Sequence, residues 1–510
     1  MNEIIVRYPP SPTGFFHIGT ARTVLYNFLF AKNNKGKAIM RMEDTDKNRS
    51  EKQYEDNILS GIKKLGMAWG TDWACSEDEI EYQSKRTEIY TKYIKQLLAE
   101  DKAYYCFSTP EELNELREKA QKEKKAFRYP ETWRNADKKL VQEKLDAGER
   151  SVIRYKLPKN ISEITFTDAV RGEVTINLAE LDDFVIAKNL TTPLYNFCVV
   201  IDDNDMNISH VIRGEDHISN TPKQILLFKE FGFEIPTFAH LPLILNADKS
   251  KLSKRKNKVS VDDYLADGFL PEALINFLAL LGWNTSDEQE IFTLEELIEK
   301  FSLNRVHKAG AIFDIEKLKW INQEWIKKMD ISMFYSKVLE YWNSEDVKKS
   351  EKYNFDISKF GDLSGCEENN KNIKFLKEAL SLVKDRTKQL SEVFENLELF
   401  YTDDKNLQYS TDIYFHKKMK TSSETAGESL EFAKKIIENL EDSFEFTAEN
   451  LKNIFIEKIK EAGFKNGYIL YPLRVALSGS EFSPGTLELL EIFGKERSLI
   501  RIKRGVELVA

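Results

Sequence analysis

Two stretches of this 510-residue chain carry residue types that act on phosphates. The first is Arg7-Tyr8-Pro9-Pro10-Ser11-Pro12-Thr13-Gly14-Phe15-Phe16-His17-Ile18-Gly19-Thr20. An apolar run, Ile4 to Val6, leads in as a buried strand, and three prolines then forbid both helix and central strand. Gly14 allows a tight turn or a close backbone approach. Ala21, Val24, Leu25, Phe28 and Leu29 follow at helical spacing, with a stop at Asn34-Lys35-Gly36. Strand, rigid loop and helix N-terminus is where an α/β fold holds a phosphate, because free backbone N–H groups and the helix dipole face outward. His17 and Gly19 sit on that spot, and an ordinary βα loop with a polar residue in it is the competing reading. The second stretch is Asn246-Ala247-Asp248-Lys249-Ser250-Lys251-Leu252-Ser253-Lys254-Arg255-Lys256. Lys251 and Lys254, on a loop after a strand ending, would place ammonium groups on a triphosphate as charge builds on leaving pyrophosphate. Lysine clusters are also ordinary solvated surface.

Glu43, Asp44 and Asp46 are suited to an ammonium group, to magnesium, or merely to capping a loop. Arg7 and Arg213 flank strand-like runs, where guanidinium forks suit a substrate carrying carboxylates, or salt bridges to those same acids. A metal centre finds no support: His210 and His217 are seven apart across a loop, and Cys106 has no second thiol within four residues. A serine hydrolase is poorly supported, since no Gly-x-Ser-x-Gly elbow stands between strand and helix.

Positioning these residues requires strands that end at them and helices that cover the strands. Lys37–Met42 reads as a second strand, closed by the acids at the carboxyl end where open α/β sheets gather ligand groups. Tyr54, Ile58, Ile62 and Leu65, then Tyr90, Tyr93, Ile94, Leu97 and Leu98, mark two amphipathic cover helices. From Tyr104 the texture changes to a charged helix (Pro110–Lys125), a strand (Ser151–Lys156) and a hairpin of Ile164–Phe166 with Val174–Ile176. Cys106–Lys188 therefore reads as a mixed α/β insertion. The doubly wound pattern resumes with a strand at Tyr195–Ile201, another leading into His210–His217, the helix Thr221–Phe231 and a strand at His240–Leu245. Beyond the lysine-rich loop the pattern is helical at Pro271–Leu281, Leu294–Phe301 and Ile315–Ile326. An irregular connector follows at Asn343–Asn372, then helices broken at Gly467 and from Ser478-Gly479-Ser480 to Pro484-Gly485.

The length exceeds one core. A composition of 41% hydrophobic and 31% charged residues excludes disorder and fibre as classes. No apolar run is long enough to cross a bilayer, and Glu3 and Arg7 interrupt any secretory pattern. Cys75, Cys106, Cys198 and Cys366 form no CxxC pair, which fits a reducing cytoplasm. The net charge of −9 means that a nucleic-acid partner needs a local basic surface.

Taken together the chain resembles the class I aminoacyl-tRNA synthetases, specifically the bacterial-type glutamyl-tRNA synthetases. Pro10–Thr20 looks like that family's "HIGH" region and Lys251-Leu252-Ser253-Lys254-Arg255 like its "KMSKS" loop. Arg41–Asp46, Tyr195–Val200, Val211–His217, Leu473–Gly479 and Gly494–Arg497 match further segments in order, so the likeness spans nearly the whole chain. It implies a Rossmann-like doubly wound parallel sheet with an inserted α/β domain, followed by an all-α C-terminal half. The implied domains are 1–105 and 189–240 (catalytic), 106–188 (acceptor-stem insertion), 241–325 (stem contact) and 326–510 (anticodon binding). The implied reaction joins glutamate to tRNA(Glu) through glutamyl-adenylate, with ATP and Mg2+ as co-substrates. His17, Lys251, Ser253 and Lys254 would be catalytic. Thr13, Gly14, His17, Gly19, Thr20, Glu215 and Lys254 would hold ATP, and Arg7, Ser11, Glu43, Tyr195 and Arg213 the amino acid. Arg386 would read an anticodon base. Some relatives hold zinc through Cys-x-Cys and a later Cys-x-His; here Cys106-Phe107-Ser108 and Trp133-Arg134-Asn135 stand in those places, so no structural zinc is expected. A cytoplasmic monomer without membrane contact is expected. A form that also charges tRNA(Gln), and a silent tRNA-binding protein on the same fold, are the alternatives.

Overall fold

Strand β1 (Ile5–Tyr8) feeds helix α1 (Ile18–Asn33), which returns the chain to β2 (Lys37–Met42). The two strands pair in parallel, Ile5 opposite Lys37 and Tyr8 opposite Met40. Glycine is required at position 36, where a Cβ would stand 2.3 Å from the Ile4 carbonyl oxygen. Helix α2 (Lys52–Lys64), β3 (Glu81–Tyr82), parallel to β2, and α3 (Thr87–Ala99) follow. The computed structural model describes residues 3–46, 49–67, 80–124, 127, 129–178, 181–252, 259–348, 352–353, 355–364 and 370–510.

The insertion comprises β4 (Ala103–Cys106), α4 (Pro110–Lys122), α5 (Lys138–Asp146), β5 (Val152–Tyr155), β6 (Glu163–Asp168), β7 (Gly172–Asn177), β8 (Val185–Asn189) and β9 (Thr192–Pro193). Strands β4, β5, β8 and β9 form an antiparallel sheet, and β6 and β7 form the expected hairpin, with Ile164 opposite Ile176.

Tyr195–Asp205 is helix α6, not the strand expected from its apolar run. Phe197 through Asp203 are all buried, so the segment has no polar stripe to reveal its period. Strand β10 (His210–Gly214), helix α7 (Thr221–Phe231) and strand β11 (Thr237–Leu241) restore the α/β alternation. Strand β11 therefore begins three residues before the expected His240. Strands β10 and β11 pair in parallel, and β6 joins the far side of β11 through Phe238 opposite Asp168. Strand β1 abuts β10: the Ile5 N–H donates to the Ser209 hydroxyl at 2.8 Å, and the Ser209 N–H returns to the Ile5 carbonyl at 2.9 Å. The chain thus winds outward from β1 in one direction and from β10 in the other, which creates a switch point between them. The rest of this unit holds β12 (Ile244–Leu245) paired with β13 (Ala311–Ile312), the first part of helix α8 (Val261–Ala266), and helices α9 (Pro271–Leu280) and α10 (Leu294–Lys300). Its residues are Met1–Tyr264 and Pro271–Leu318.

A second unit, Leu265–Leu270 with Lys319–Ala510, is helical. Its core joins Ser423–Glu438, Asn466–Ser478 and Thr486–Val509 through buried Leu430, Ile437, Leu473, Leu477, Leu489 and Ile502. Gly479 ends the middle helix at φ 68°, while Gly467 lies within its first turn and the chain turns earlier, at Gly463. Gly494, also at φ 68°, breaks the last helix where the pattern predicts continuity. Arg386 is exposed in the turn after helix Lys371–Val383. Among the described residues no helix is long and apolar enough to cross a membrane.

Candidate active site

A cavity of about 1210 Å³ opens at the switch point between β1 and β10. Its walls include Arg7, Ser11, Thr13, His17, Gly19 and Thr20 from the first loop, and Glu43 and Asp46 from the end of β2. Tyr195 at the start of α6, Arg213 on β10, and Lys251, Leu252 and Val259 beside the lysine-rich loop complete it. Gly14 and Glu215 are not among the lining residues.

One end is built around the start of α1. The first turn of that helix carries no acid, so the dipole at its N-terminus favours an anion there. His17 is the N-cap: its Nδ1 accepts the Thr20 N–H at 3.2 Å, and its Nε2 lies 3.0 Å from the Thr20 hydroxyl. A Cβ on residue 19 would stand 3.1 Å from His17 Nδ1, so glycine leaves room for the ring. The lysine-rich loop is tied in from both flanks. Leu252 N–H donates to the Ile244 carbonyl at 3.1 Å; beyond the loop, Ile18 N–H donates to Val259 and Val261 N–H to Phe16, at 2.9 and 3.0 Å. Ser253 and Lys254 lie outside the described residues.

The other end is a buried charge network. Asp203 Oδ1 accepts Arg7 Nε at 3.3 Å and Arg41 Nη1 at 2.7 Å, while Arg41 Nη2 reaches Glu43 Oε1 at 3.1 Å. Asp202, the residue before it on α6, lies 3.9 Å from Arg41 Nε and also binds Arg86, Gln83 and Tyr90. Burial would raise the Asp203 carboxyl, but Arg41 and Arg7 outweigh it and hold the group below its ordinary range. For Glu43 burial wins over Arg41 and Arg7, and its carboxyl is raised. Arg213 donates from Nε to His240 Nε2 at 3.2 Å and from Nη2 to the Thr221 hydroxyl at 2.8 Å. The Tyr195 hydroxyl stands 3.2 Å from His217 Nδ1, and burial pushes its titration up.

The first loop, Glu43 and Arg213 are therefore brought to one cavity, as their types suggest, together with Tyr195, which the family resemblance implies. Other expected residues already have protein partners. Glu215 accepts the Leu243 N–H at 2.8 Å and pairs with Arg171. Asp44 binds the Ser84 amide and hydroxyl at 2.8 and 2.6 Å, and Asp46 pairs with Arg49. Arg41, Asp203 and His240 are functional candidates that residue pattern overlooks; an arginine and an aspartate inside strongly apolar segments are the signal that could have found them. In the insertion, Cys106 Sγ bonds the Tyr129 hydroxyl, and the Arg154 guanidinium lies 3.5 Å from the centre of the Tyr129 ring. Among the described residues no cluster of three His, Cys, Asp or Glu is arranged to hold a metal.

Two family models match this sequence: tRNA synthetases class I (E and Q), catalytic domain, over residues 3–320, and an anticodon binding domain over residues 333–506. Glutamate–tRNA ligase 2 of Thermoanaerobacter pseudethanolicus is 38% identical over 509 residues, covering 100% of this chain and 99% of the relative. The glutamate–tRNA ligase of Thermodesulfovibrio yellowstonii is 40% identical over 504 residues, covering 98% and 99%. A crystal structure of a glutamate tRNA ligase from Elizabethkingia meningosepticum, in complex with its amino acid, matches with a TM-score of 0.82 at 32% identity over 100% of both chains.

Proposed function

The chain belongs to the class I tRNA synthetases for glutamate and glutamine, and we propose the following division of labour among its residues. It is a glutamate–tRNA ligase: the glutamate α-carboxylate attacks the α-phosphate of ATP, pyrophosphate leaves, and the glutamyl group passes to the 3′-terminal adenosine of tRNA(Glu). No protein nucleophile is required; the chain positions reactants and stabilises developing charge.

The observation that carries the choice of amino acid is that two buried arginines, Arg7 and Arg213, line one cavity together with the buried carboxyl of Glu43: two guanidinium groups for two carboxylates and one acid for an ammonium group. Arg7 and Arg213 take the two carboxylates and Glu43 the ammonium group, with Ser11 and Tyr195 fixing orientation. Glutamine, neutral overall, would leave a buried guanidinium underpaired, and rejection of that kind is strong.

His17, the Gly19-Thr20 backbone and Thr13 hold the ATP phosphates at the start of α1, with Mg2+ arriving on the nucleotide. Lys251, Ser253 and Lys254 follow the pyrophosphate as it leaves. The insertion, 106–188, meets the acceptor stem without structural zinc, a reading supported by the Cys106–Tyr129–Arg154 packing. Residues 326–510 bind the anticodon, with Arg386 at the base-reading surface. The test is AMP formation in the presence of ATP, glutamate and tRNA(Glu). Release that depends on both glutamate and tRNA supports the proposal, and complete absence of turnover in correctly folded protein sinks it.

A further inference from the structure

Arg213 lies directly across from His240 in the parallel pairing of β10 and β11, and Phe238 on the same strand lies directly across from Asp168 of β6. This register lines up Asp168, His240 and Arg213 in sequence through buried space. Asp168 Oδ2 lies 2.6 Å from His240 Nδ1, and His240 Nε2 lies 3.2 Å from Arg213 Nε. All three are at least 95% excluded from solvent, with relative exposures of 2%, 0% and 5%. Asp168 is itself fixed: its Oδ1 accepts the Val170 and Arg171 N–H groups at 2.9 and 2.8 Å.

The donor and acceptor roles are forced from both ends. An arginine Nε only donates, so His240 Nε2 must present its lone pair. The ring then carries its proton on Nδ1, where the ionised Asp168 accepts it. Both charge states agree with the surroundings. Burial and the adjacent Arg213 and Arg171 keep His240 neutral against the pull of Asp168, and His240 with the two backbone amides outweighs burial to keep Asp168 ionised. The Thr221 hydroxyl takes Nη2, and the Phe238 ring underlies both the imidazole and the guanidinium. Two edges of the Arg213 fork are thereby fixed, and at the cavity wall the guanidinium also interacts with the Tyr195 hydroxyl.

We propose that His240 and Asp168 are positioning residues for glutamate recognition, holding the Arg213 fork in register for a substrate carboxylate through one obligatory histidine tautomer. This rests on Arg213 being a carboxylate contact. Neither residue touches substrate, so neither is catalytic.

Aminoacylation of tRNA(Glu) by the full-length chain, with glutamate, ATP and tRNA varied in turn, tests it. H240L removes the acceptor. D168N allows an amide to donate to Nδ1, which moves the proton to Nε2 and opposes two donors. H240Q restores an acceptor oxygen near the Nε2 position. The expected result is a KM for glutamate raised roughly 10-fold or more in H240L and D168N, the scale of a lost hydrogen bond to a charged group. KM for ATP and tRNA should stay within about 2-fold, and H240Q should return most of the loss. A KM for glutamate unchanged in D168N, an equal rise for ATP, or an H240Q no better than H240L overturns the positioning role. R213M separates the two levels. If it raises KM for glutamate while D168N does not, only the positioning is wrong; if it leaves that KM unchanged, the carboxylate assignment falls and the proposal with it. Should H240L fail to melt cooperatively, D168N against H240Q still decides.

Discussion

Asp203 takes Arg7 and Arg41 through one oxygen, and through Arg41 it also fixes Glu43, although it does not line the cavity. Removing it takes the buried Arg7 guanidinium from its ion-pair partner and leaves Arg41 with Glu43 and Asp202 only. Asp203→Ala should therefore cost about 3–5 kcal/mol, the scale for breaking a buried ion pair, read by denaturant unfolding. Its carboxyl is depressed in the folded state, so its contribution is complete above the unfolded value of about 3.9 and is lost as pH falls through the folded one. Glu43 behaves in the opposite sense. Its folded carboxyl is raised by burial, and only the ionised form can pair with an ammonium group. Glutamate affinity should thus fall on acidification at a pH above the ordinary glutamate range of about 4.3. In Glu43→Gln the KM for glutamate should be higher and its acid limb absent; a limb that persists in that variant would assign the titration elsewhere. Arg7, Glu43 and Arg213 are legible from residue type and place, and Tyr195 only through the family resemblance. Asp203 is not, because it ends an apolar run whose period cannot be read, and His240 looks like one more strand residue until its neighbours across the sheet are known.

At the scale of elements, the rigid proline loop and the start of α1 emerge from local rules alone, since proline, glycine and 3.6-residue spacing act over short distances. What local pattern misses is pairing. Val259–Val261 clasps Phe16–Ile18 through two backbone hydrogen bonds, joining the far flank of the lysine-rich loop to the end of the cavity built around the start of α1. Val261 is the first residue of α8, a position that tolerates proline. Val261→Pro should delete the bond to the Phe16 carbonyl at a stability cost of about 1 kcal/mol while lowering kcat by roughly 10-fold. Melting temperature and kcat measured together check it, and an unchanged kcat would mean that the clasp does not serve the reaction. Helix α6 reads as a strand for a related reason: an apolar segment covered on every side looks alike as strand or helix. The break at Gly494 escaped because the flanking residues keep a helical pattern through it.

For the whole molecule, a net charge of −9 and a polyanionic partner are reconciled only by local basic surface. KM for tRNA(Glu) should rise steeply between about 50 and 200 mM salt, linearly on logarithmic axes, because phosphate contacts release counterions. KM for glutamate, set inside a buried network, should change far less. Two compact units with two matched families make the division of labour legible from sequence, since the change from alternating strands and helices to helices alone survives any single misread element. The central claim is that one cavity selects an amino acid with two carboxylates and joins it to tRNA. Its most direct test is aminoacylation by purified chain with glutamate, glutamine and aspartate, each offered with tRNA(Glu) and with tRNA(Gln). Stable charging of tRNA(Glu) with glutamate, and none with glutamine or aspartate, is the predicted result; efficient charging with glutamine, or no charging with glutamate, would contradict it.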